Sequence, residues 1–296
     1  MKKLATYKNG NSHVTIYEDG TKVRRYDEPL LLEFPESMDI KITNYCDLEC
    51  KFCHEMSDIV GKHADLDKLL TLLQGLPPGV ELAIGGGNPL SHPDIINFLG
   101  KLREMGFIPN MTVNQRHLKR YLPEIKKMLQ EELIFGLGIS INNTDLNEVK
   151  ELMKITKNIV FHLIAGVNSV EEIEWLRELD YCKILVLGYK QIGRGADYFS
   201  AEVKQNMMFW NAFVGMYLSE GTLSFDNLAI EQLYIKQMMT EKEWDRYYMG
   251  DDFTFSMYID AVNQQFAPSS TSNERESFDN YSLIEYFQKF SELVLI

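Results

Sequence analysis

The chain has 296 residues, 45% of them hydrophobic, enough to bury one large core and to exclude a disordered chain. Its 43 acidic against 30 basic residues leave a formal charge of -13, a field that repels phosphate backbones and argues against broad nucleic-acid binding. No apolar run approaches the ~20 residues that cross a bilayer, and the basic start lacks the apolar stretch of a secretion signal, so the expected location is cytoplasmic.

Residues 14–17 and 22–26 alternate apolar and polar side chains around Asp19-Gly20, the pattern of an N-terminal β-hairpin. From Met38 onward, strands are expected at 39–43, 81–84, 111–113, 135–141, 159–164 and 183–187, separated by helices such as 66–73 and 93–105. Such alternation implies parallel βα units with right-handed crossovers, as an open doubly wound sheet or a partial barrel. Periodicity does not choose between the two. Lys119, Arg120, Lys126 and Lys127 read as a solvated helix face.

After Gly195 the pattern changes. A long helix is expected over 200–218, a strand at 223–225, a helix at 228–238, a second hairpin from 253–260 and 264–267, and a closing helix at 283–293. The Ser-, Thr- and Asn-rich run 269–276 reads as a mobile surface loop. The expected division is an N-terminal extension over 1–37, a core over 38–198 and a C-terminal α+β extension over 199–296.

Four cysteines are few for a disulfide scaffold of this size, and Cys46, Cys50 and Cys53 fall within eight positions. That spacing reads as metal ligation in a reducing compartment. The loop Asn44-Tyr45-Cys46-Asp47-Leu48-Glu49-Cys50-Lys51-Phe52-Cys53-His54 directly follows the first core strand. It therefore sits at the strand's C-terminal end, where α/β active sites are built. Thiolates suit zinc or iron-sulfur clusters. A closed structural zinc site needs four protein ligands, so the loop reads as a metal centre with one open position, against the alternatives of a zinc-stapled binding module completed by His54 or Cys182 and of a coincidental cysteine cluster.

Three cysteines separated by three and then two residues, with aromatic Phe52 before the last, resemble the signature of the radical SAM superfamily. The resemblance implies one 4Fe-4S cluster on Cys46, Cys50 and Cys53. It also implies S-adenosylmethionine chelating the open iron, cleaved reductively to a 5'-deoxyadenosyl radical with electrons from a donor such as flavodoxin or ferredoxin. The fold it implies is a partial (β/α)6 TIM-type barrel. One strand later, Gly86-Gly87-Asn88-Pro89 stands where the family carries Gly-Gly-Glu-Pro against the cofactor's methionine end. Asn88 replaces the usual acid, and its contact is weaker because it lacks charge. Thr112-Val113-Asn114 is similar to the Thr-Asn-Gly stretch often found after the third strand. Ser140 and Asn142 fall where related enzymes hold the ribose, and Phe52 joins the cofactor-binding set. The Gly-rich run from Gly188 to Gly195 falls where backbone passes the adenine, with Arg194 a candidate for a substrate or cofactor carboxylate and equally for a surface role. Asn114 and Asn143 read equally well as turn formers; His162, which could face the barrel interior, reads first as a core residue, and Cys182 as a small buried one.

The run from Phe255 to Ser270 resembles the hairpin of the SPASM-type extension of peptide-modifying radical SAM enzymes. Ser269 and Ser270 occupy the neighbourhood of its cysteines, and with only Cys182 left over no second all-cysteine cluster can be assembled. The implied function is hydrogen abstraction from a peptide or protein. A small-molecule substrate such as a nucleoside or nucleotide is the alternative, which Lys190 and Arg194 permit. Tyr189, Asp226, Tyr258 and Asp260 are candidate general bases by residue type alone.

Overall fold

The computed structural model describes residues 2–179, 182–218 and 223–294, with 291–294 as backbone only. Strands β1 (Lys3–Asn9), β2 (Ser12–Tyr17) and β3 (Lys22–Arg25) form an antiparallel sheet in that order. The hairpin of β2 and β3 follows from their alternation. Strand β1 escapes sequence analysis because its register shifts between Lys3 and Ala5, and such an irregularity breaks the two-residue period. Arg24 anchors this sheet to the core: its Nε donates to Glu36 at 2.6 Å and its guanidinium lies 4.0 Å above the Phe255 ring.

The core is one open sheet. Strands β4 (Ser37–Lys41), β5 (Glu81–Gly85), β6 (Ile108–Asn114), β7 (Gly136–Ser140), β8 (Ile159–Ile164) and β9 (Ile184–Leu187) pair in parallel, each with its successor. These are the six expected strands, in the expected partial-barrel order. Strand β10 (Leu223–Phe225) adds in parallel beyond β9, and β11 (Ser256–Asp260) adds in parallel beside β4. The antiparallel β12 (Gln265–Ala267) and β13 (Glu276–Ser277) continue from β11. The expected C-terminal hairpin is therefore present, and it prolongs the core sheet.

Helices α1 (Leu66–Leu73), α2 (Ile95–Glu104), α3 (Gln115–Gln130), α4 (Asn147–Met153) and α5 (Glu172–Arg177) connect the six strands. In α1, Asp65 caps the Lys68 amide at 3.0 Å, and Leu66, Leu69, Leu70 and Leu73 bury one face, the spacing of an amphipathic helix. Strand residues alternate to match. Met38, Ile40, Leu82 and Ile84 are fully buried, while the other face carries Asp39, Lys41, Ala83 and Gly85. That second face is the barrel interior, small and polar, and at Gly85 a Cβ would meet nothing within 4 Å.

Three C-terminal expectations change. The long helix is α7 (Ala201–Phe213), following the short α6 (Arg194–Tyr198). The helix expected at 228–238 is divided into α8 (Asn227–Gln232) and a 3-10 turn at Ile235–Met238, because Tyr234 takes a left-handed φ of 54°. Helix α9 (Glu241–Tyr247) is set by a Thr240/Glu243 capping box, and α10 (Leu283–Val294) closes the chain. The run 269–276 is held in place: Lys190 Nζ donates to Ser270 Oγ at 2.7 Å and Arg275 Nη2 to the Ser270 carbonyl at 2.8 Å. Among the described residues no helix is long and apolar enough to cross a membrane.

Candidate functional site

The cysteine loop leaves the C-terminal end of β4 and folds back on itself. The Asn44 amide donates to the Lys62 carbonyl, the Cys46 amide to Asp58 (both 2.8 Å) and the Asp58 amide to Asn44 (3.1 Å). Glu49 and Met56 adopt positive φ values of 45° and 53°, each costing about 1 kcal/mol for a side-chain-bearing residue. Cys46, Cys50 and Cys53 are free and half-buried. Burial pushes the Cys46 and Cys50 thiols above the ordinary cysteine pKa, so a metal binding there displaces protons.

Neither suggested fourth zinc ligand stands ready. Cys182 is buried just before β9 begins, at the opposite end of the parallel strands from the loop. His54 Nε2 lies 3.4 Å from Lys190 Nζ and 3.5 Å from Glu55 Oε1. Ligating atoms of Cys46, Asp47 and His117 do lie within 4.8 Å of one another. His117 Nε2, however, is bonded to Asp47 at 2.7 Å, and Arg120 reaches the other Asp47 oxygen at 3.2 Å. Three thiols with no further thiol beside them suit a cluster that keeps one metal position open.

Arg194 clamps the loop from the β9 side. Its Nε donates to the Cys50 carbonyl at 2.9 Å, its Nη2 to Ser57 at 2.8 Å and its amide to Cys53 at 3.1 Å. The guanidinium thus holds loop carbonyls, a role outside the carboxylate contact expected from sequence. Gly193, at φ 55°, has no room for a Cβ, which would lie 2.5 Å from the His54 carbonyl. The Gly-rich run therefore packs on the cysteine loop.

Gly86 and Gly87 serve the same contact from the β5 side. Cβ atoms there would lie 2.4 Å from the Thr43 carbonyl and 2.2 Å from that of Tyr45, so the protein's own backbone demands both glycines. Asn88 is fully buried; its Oδ1 accepts from the Leu90 amide at 3.2 Å and its Nδ2 has no protein partner. Asn44 Oδ1 and Ser57 Oγ are likewise buried without partners, which leaves orphaned polar atoms around this loop.

Ser140 ends β7, level with Asn114 and His162. Asn142 Nδ2 donates to Asn114 Oδ1 at 2.9 Å and to the Ser140 carbonyl at 2.7 Å. Gln115, which the sequence does not single out, organises this corner: its Oε1 accepts from the Asn142 amide at 2.8 Å and its Nε2 donates to the Asp145 carbonyl at 2.7 Å. Asn143 caps the Asp145 amide at 2.9 Å, a turn role. Phe52 is half-buried, its ring 6.0 Å from that of Tyr198.

His162 faces the hollow, the placement its strand allows beside the core reading. Gly138 makes room for it, since a Cβ there would lie 2.7 Å from His162 Cε1 and 2.8 Å from Thr112 Oγ1. Burial lowers the His162 pKa from 6.5 to about 4, so the ring is neutral at neutral pH. The unfolded chain then binds the proton more readily, and stability is complete above pH 6.5 and falls as the pH drops toward 4, by at most about 3 kcal/mol. Urea unfolding across that window is expected to show the loss, and His162→Gln is expected to flatten it.

Of the four candidate bases, Tyr189 donates its hydroxyl to the Gly195 carbonyl at 2.7 Å, and Asp226 accepts from the amides of Gly188 and Ala229 at 2.9 and 2.7 Å. Both hold backbone of the Gly-rich segment and its neighbours. Tyr258 and Asp260 join Lys41 and Glu55: Lys41 Nζ lies 2.7 Å from a carboxylate oxygen of each acid, and the Tyr258 hydroxyl donates to Glu55 at 2.8 Å. Burial alone lowers the Lys41 pKa, but Glu55 and Asp260 outweigh it and raise the value above that of an ordinary lysine.

Comparison with known proteins agrees with this fold. The chain is 29% identical over 85 residues to PqqA peptide cyclase of Streptomyces rochei, covering 27% of this chain and 23% of that protein. It is 30% identical over 96 residues to Molybdenum cofactor biosynthesis protein 1 of Bos taurus, covering 30% and 15%. Its fold is similar to SuiB of Streptococcus suis bound to precursor peptide SuiA, with a TM-score of 0.63 at 17% identity over 87% of this chain and 65% of that one. SuiB bound to S-adenosylmethionine gives 0.58 at 16% identity, over 87% and 66%. The chain thus spans under two thirds of each relative. A family model described as the Radical SAM superfamily matches residues 40–190. That match takes in just over half of the chain, including the whole cysteine loop and strands β5 to β9, and this chain belongs to the radical SAM superfamily.

Proposed function

We propose that this chain holds one 4Fe-4S cluster on Cys46, Cys50 and Cys53 and uses it with S-adenosylmethionine to abstract hydrogen from a peptide. The observation that carries this is the loop itself: three half-buried thiols at the C-terminal ends of parallel strands, with no further cysteine beside them. The cofactor pair, when bound, supplies the hydrogen-abstracting radical. The chain's residues hold and orient it. Arg194 fixes the loop carbonyls, Gly86, Gly87 and Asn88 form the wall beside the loop, Ser140 and Asn142 offer polar contacts at the end of β7, and Phe52 offers an aromatic one from the loop itself.

The peptide substrate class draws support from SuiB, whose structure holds a precursor peptide, and from PqqA peptide cyclase. In this chain, residues 199–296 add β11 beside the cysteine loop and hold the 269–276 run through Lys190. We assign 38–198 to the cofactor, 199–296 to the substrate side and 1–37 to a flanking extension, in a cytoplasmic protein reduced by a flavodoxin or ferredoxin. Anaerobically reconstituted protein incubated with peptides encoded beside its gene is expected to release 5'-deoxyadenosine and change one peptide's mass. Deoxyadenosine release without a change in any peptide would remove the peptide from this reading.

A further inference from the structure

The C-terminal hairpin reaches the cysteine loop through a buried polar cluster. The side chains of Lys41, Glu55 and Asp260 are only 7%, 13% and 5% exposed, and Tyr258 is 4% exposed. Buried polar groups are costly unless paired, and here each has its partner. Lys41 Nζ reaches Glu55 Oε2 and Asp260 Oδ2, both at 2.7 Å, and the Tyr258 hydroxyl donates to Glu55 Oε1 at 2.8 Å. Asp260 also accepts from the Asn263 amide and side chain at 3.0 and 2.9 Å.

Three distant stretches of sequence meet here. Lys41 is the last residue of β4, Tyr258 and Asp260 lie on β11, and Glu55 belongs to the loop two residues after Cys53. Sheet register makes the meeting rigid, because Asp260 stands opposite Lys41 and Tyr258 opposite Asp39. On its other flank the same stretch of loop is held by Arg194 at the carbonyls of Cys50 and Ser57. Cys53 lies between these two attachments. The hairpin's own loop adds to the tie, with the Arg275 guanidinium 5.0 Å from the Tyr258 ring centre.

We infer that Tyr258 and Lys41 are positioning residues for the cysteine loop, acting through Glu55, so that the C-terminal hairpin sets where Cys53 stands. This rests on the cluster reading above. Neither residue touches the cofactor in this role. Losing the phenol hydroxyl leaves all three thiols and the Lys41 ion pairs in place, and it loosens the geometry in which the open iron meets S-adenosylmethionine.

The test uses the full chain, reconstituted anaerobically, as wild type, Tyr258→Phe, Glu55→Gln and the double variant. The electron paramagnetic resonance signal of the reduced cluster is titrated with S-adenosylmethionine, alongside iron content and unfolding midpoint. Tyr258→Phe removes one atom from a packed ring, so the fold and iron content are expected to hold. The concentration giving half the spectral change is expected to rise by about fivefold or more. The double variant is expected to match Glu55→Gln alone, because Tyr258 acts through that carboxylate. A merely structural hydroxyl would lower the unfolding midpoint and leave the titration unmoved; that result, or single effects that multiply in the double variant, overturns the inference. A wild-type chain that binds no iron, or whose signal ignores the cofactor, overturns the cluster reading instead.

Discussion

Cys46→Ala, Cys50→Ala and Cys53→Ala are each expected to abolish S-adenosylmethionine cleavage and to lower iron per chain well below the wild-type value. The loop supplies three thiols, and Cys182 lies at the far end of the sheet. No spare thiolate can move in to replace a lost one. His54, the histidine nearest the loop cysteines in sequence, has its Nε2 beside Lys190 and Glu55. The effect belongs to the metal-bound state. In the metal-free chain the thiols are half-buried side chains on a loop, so the three variants are expected to unfold within about 0.5 kcal/mol of the wild type. Cys182→Ala gives the opposite pattern, with full iron content and deoxyadenosine release but a stability loss on the order of 1 kcal/mol from the emptied core space. Iron and sulfide analysis, deoxyadenosine release and urea unfolding of the apo chains separate the two classes of variant. Normal turnover in any loop variant removes that cysteine from the ligand set.

Lys41→Met is expected to be the most destabilising single substitution in the barrel interior. Lys41 neutralises two carboxylates at once, each 2.7 Å from its nitrogen, and all three groups are largely buried. Methionine fills the space but leaves Glu55 and Asp260 facing one another without a cation. Breaking a buried pair from one side costs about 3–5 kcal/mol, a large share of the ~5–15 kcal/mol that holds a domain together. The same physics predicts the rescue. Adding Glu55→Gln and Asp260→Asn to Lys41→Met removes both stranded charges and is expected to recover most of the lost stability, read by urea unfolding of the apo chain. A triple variant no more stable than Lys41→Met would show that the lysine acts through packing.

The cysteine loop and the Lys41 cluster arise at different levels of the structure. The cysteine ligand set is local in sequence, because three thiols within eight positions are brought together by a single loop whatever surrounds it. Strand identities are equally local: short runs rich in apolar and β-branched residues, such as Ile159–Ile164 and Ile184–Leu187, mark the six core strands between helical stretches. Where local order misleads, a nearby feature is responsible. The irregularity between Lys3 and Ala5 hides β1, and the left-handed Tyr234 divides a helix that composition alone would continue.

The Lys41 cluster has no such local signature. Residues 41, 55, 258 and 260 are ordinary polar residues in the sequence; the pairing of β11 with β4 sets Tyr258 and Asp260 beside Lys41, and the folded-back cysteine loop brings Glu55 to them. The same holds for Arg194, which the sequence offers as a ligand-binding cation and the fold turns onto loop carbonyls, and for His162, which strand hydrophobicity assigns to the core and strand alternation turns toward the hollow. By itself the sequence determined the six-strand α/β core and the three-thiol loop, since each depends on spacing within one short segment. The tertiary structure alone decided which polar groups surround that loop and which face of each strand carries chemistry, because those outcomes depend on sheet register between segments as far as two hundred residues apart.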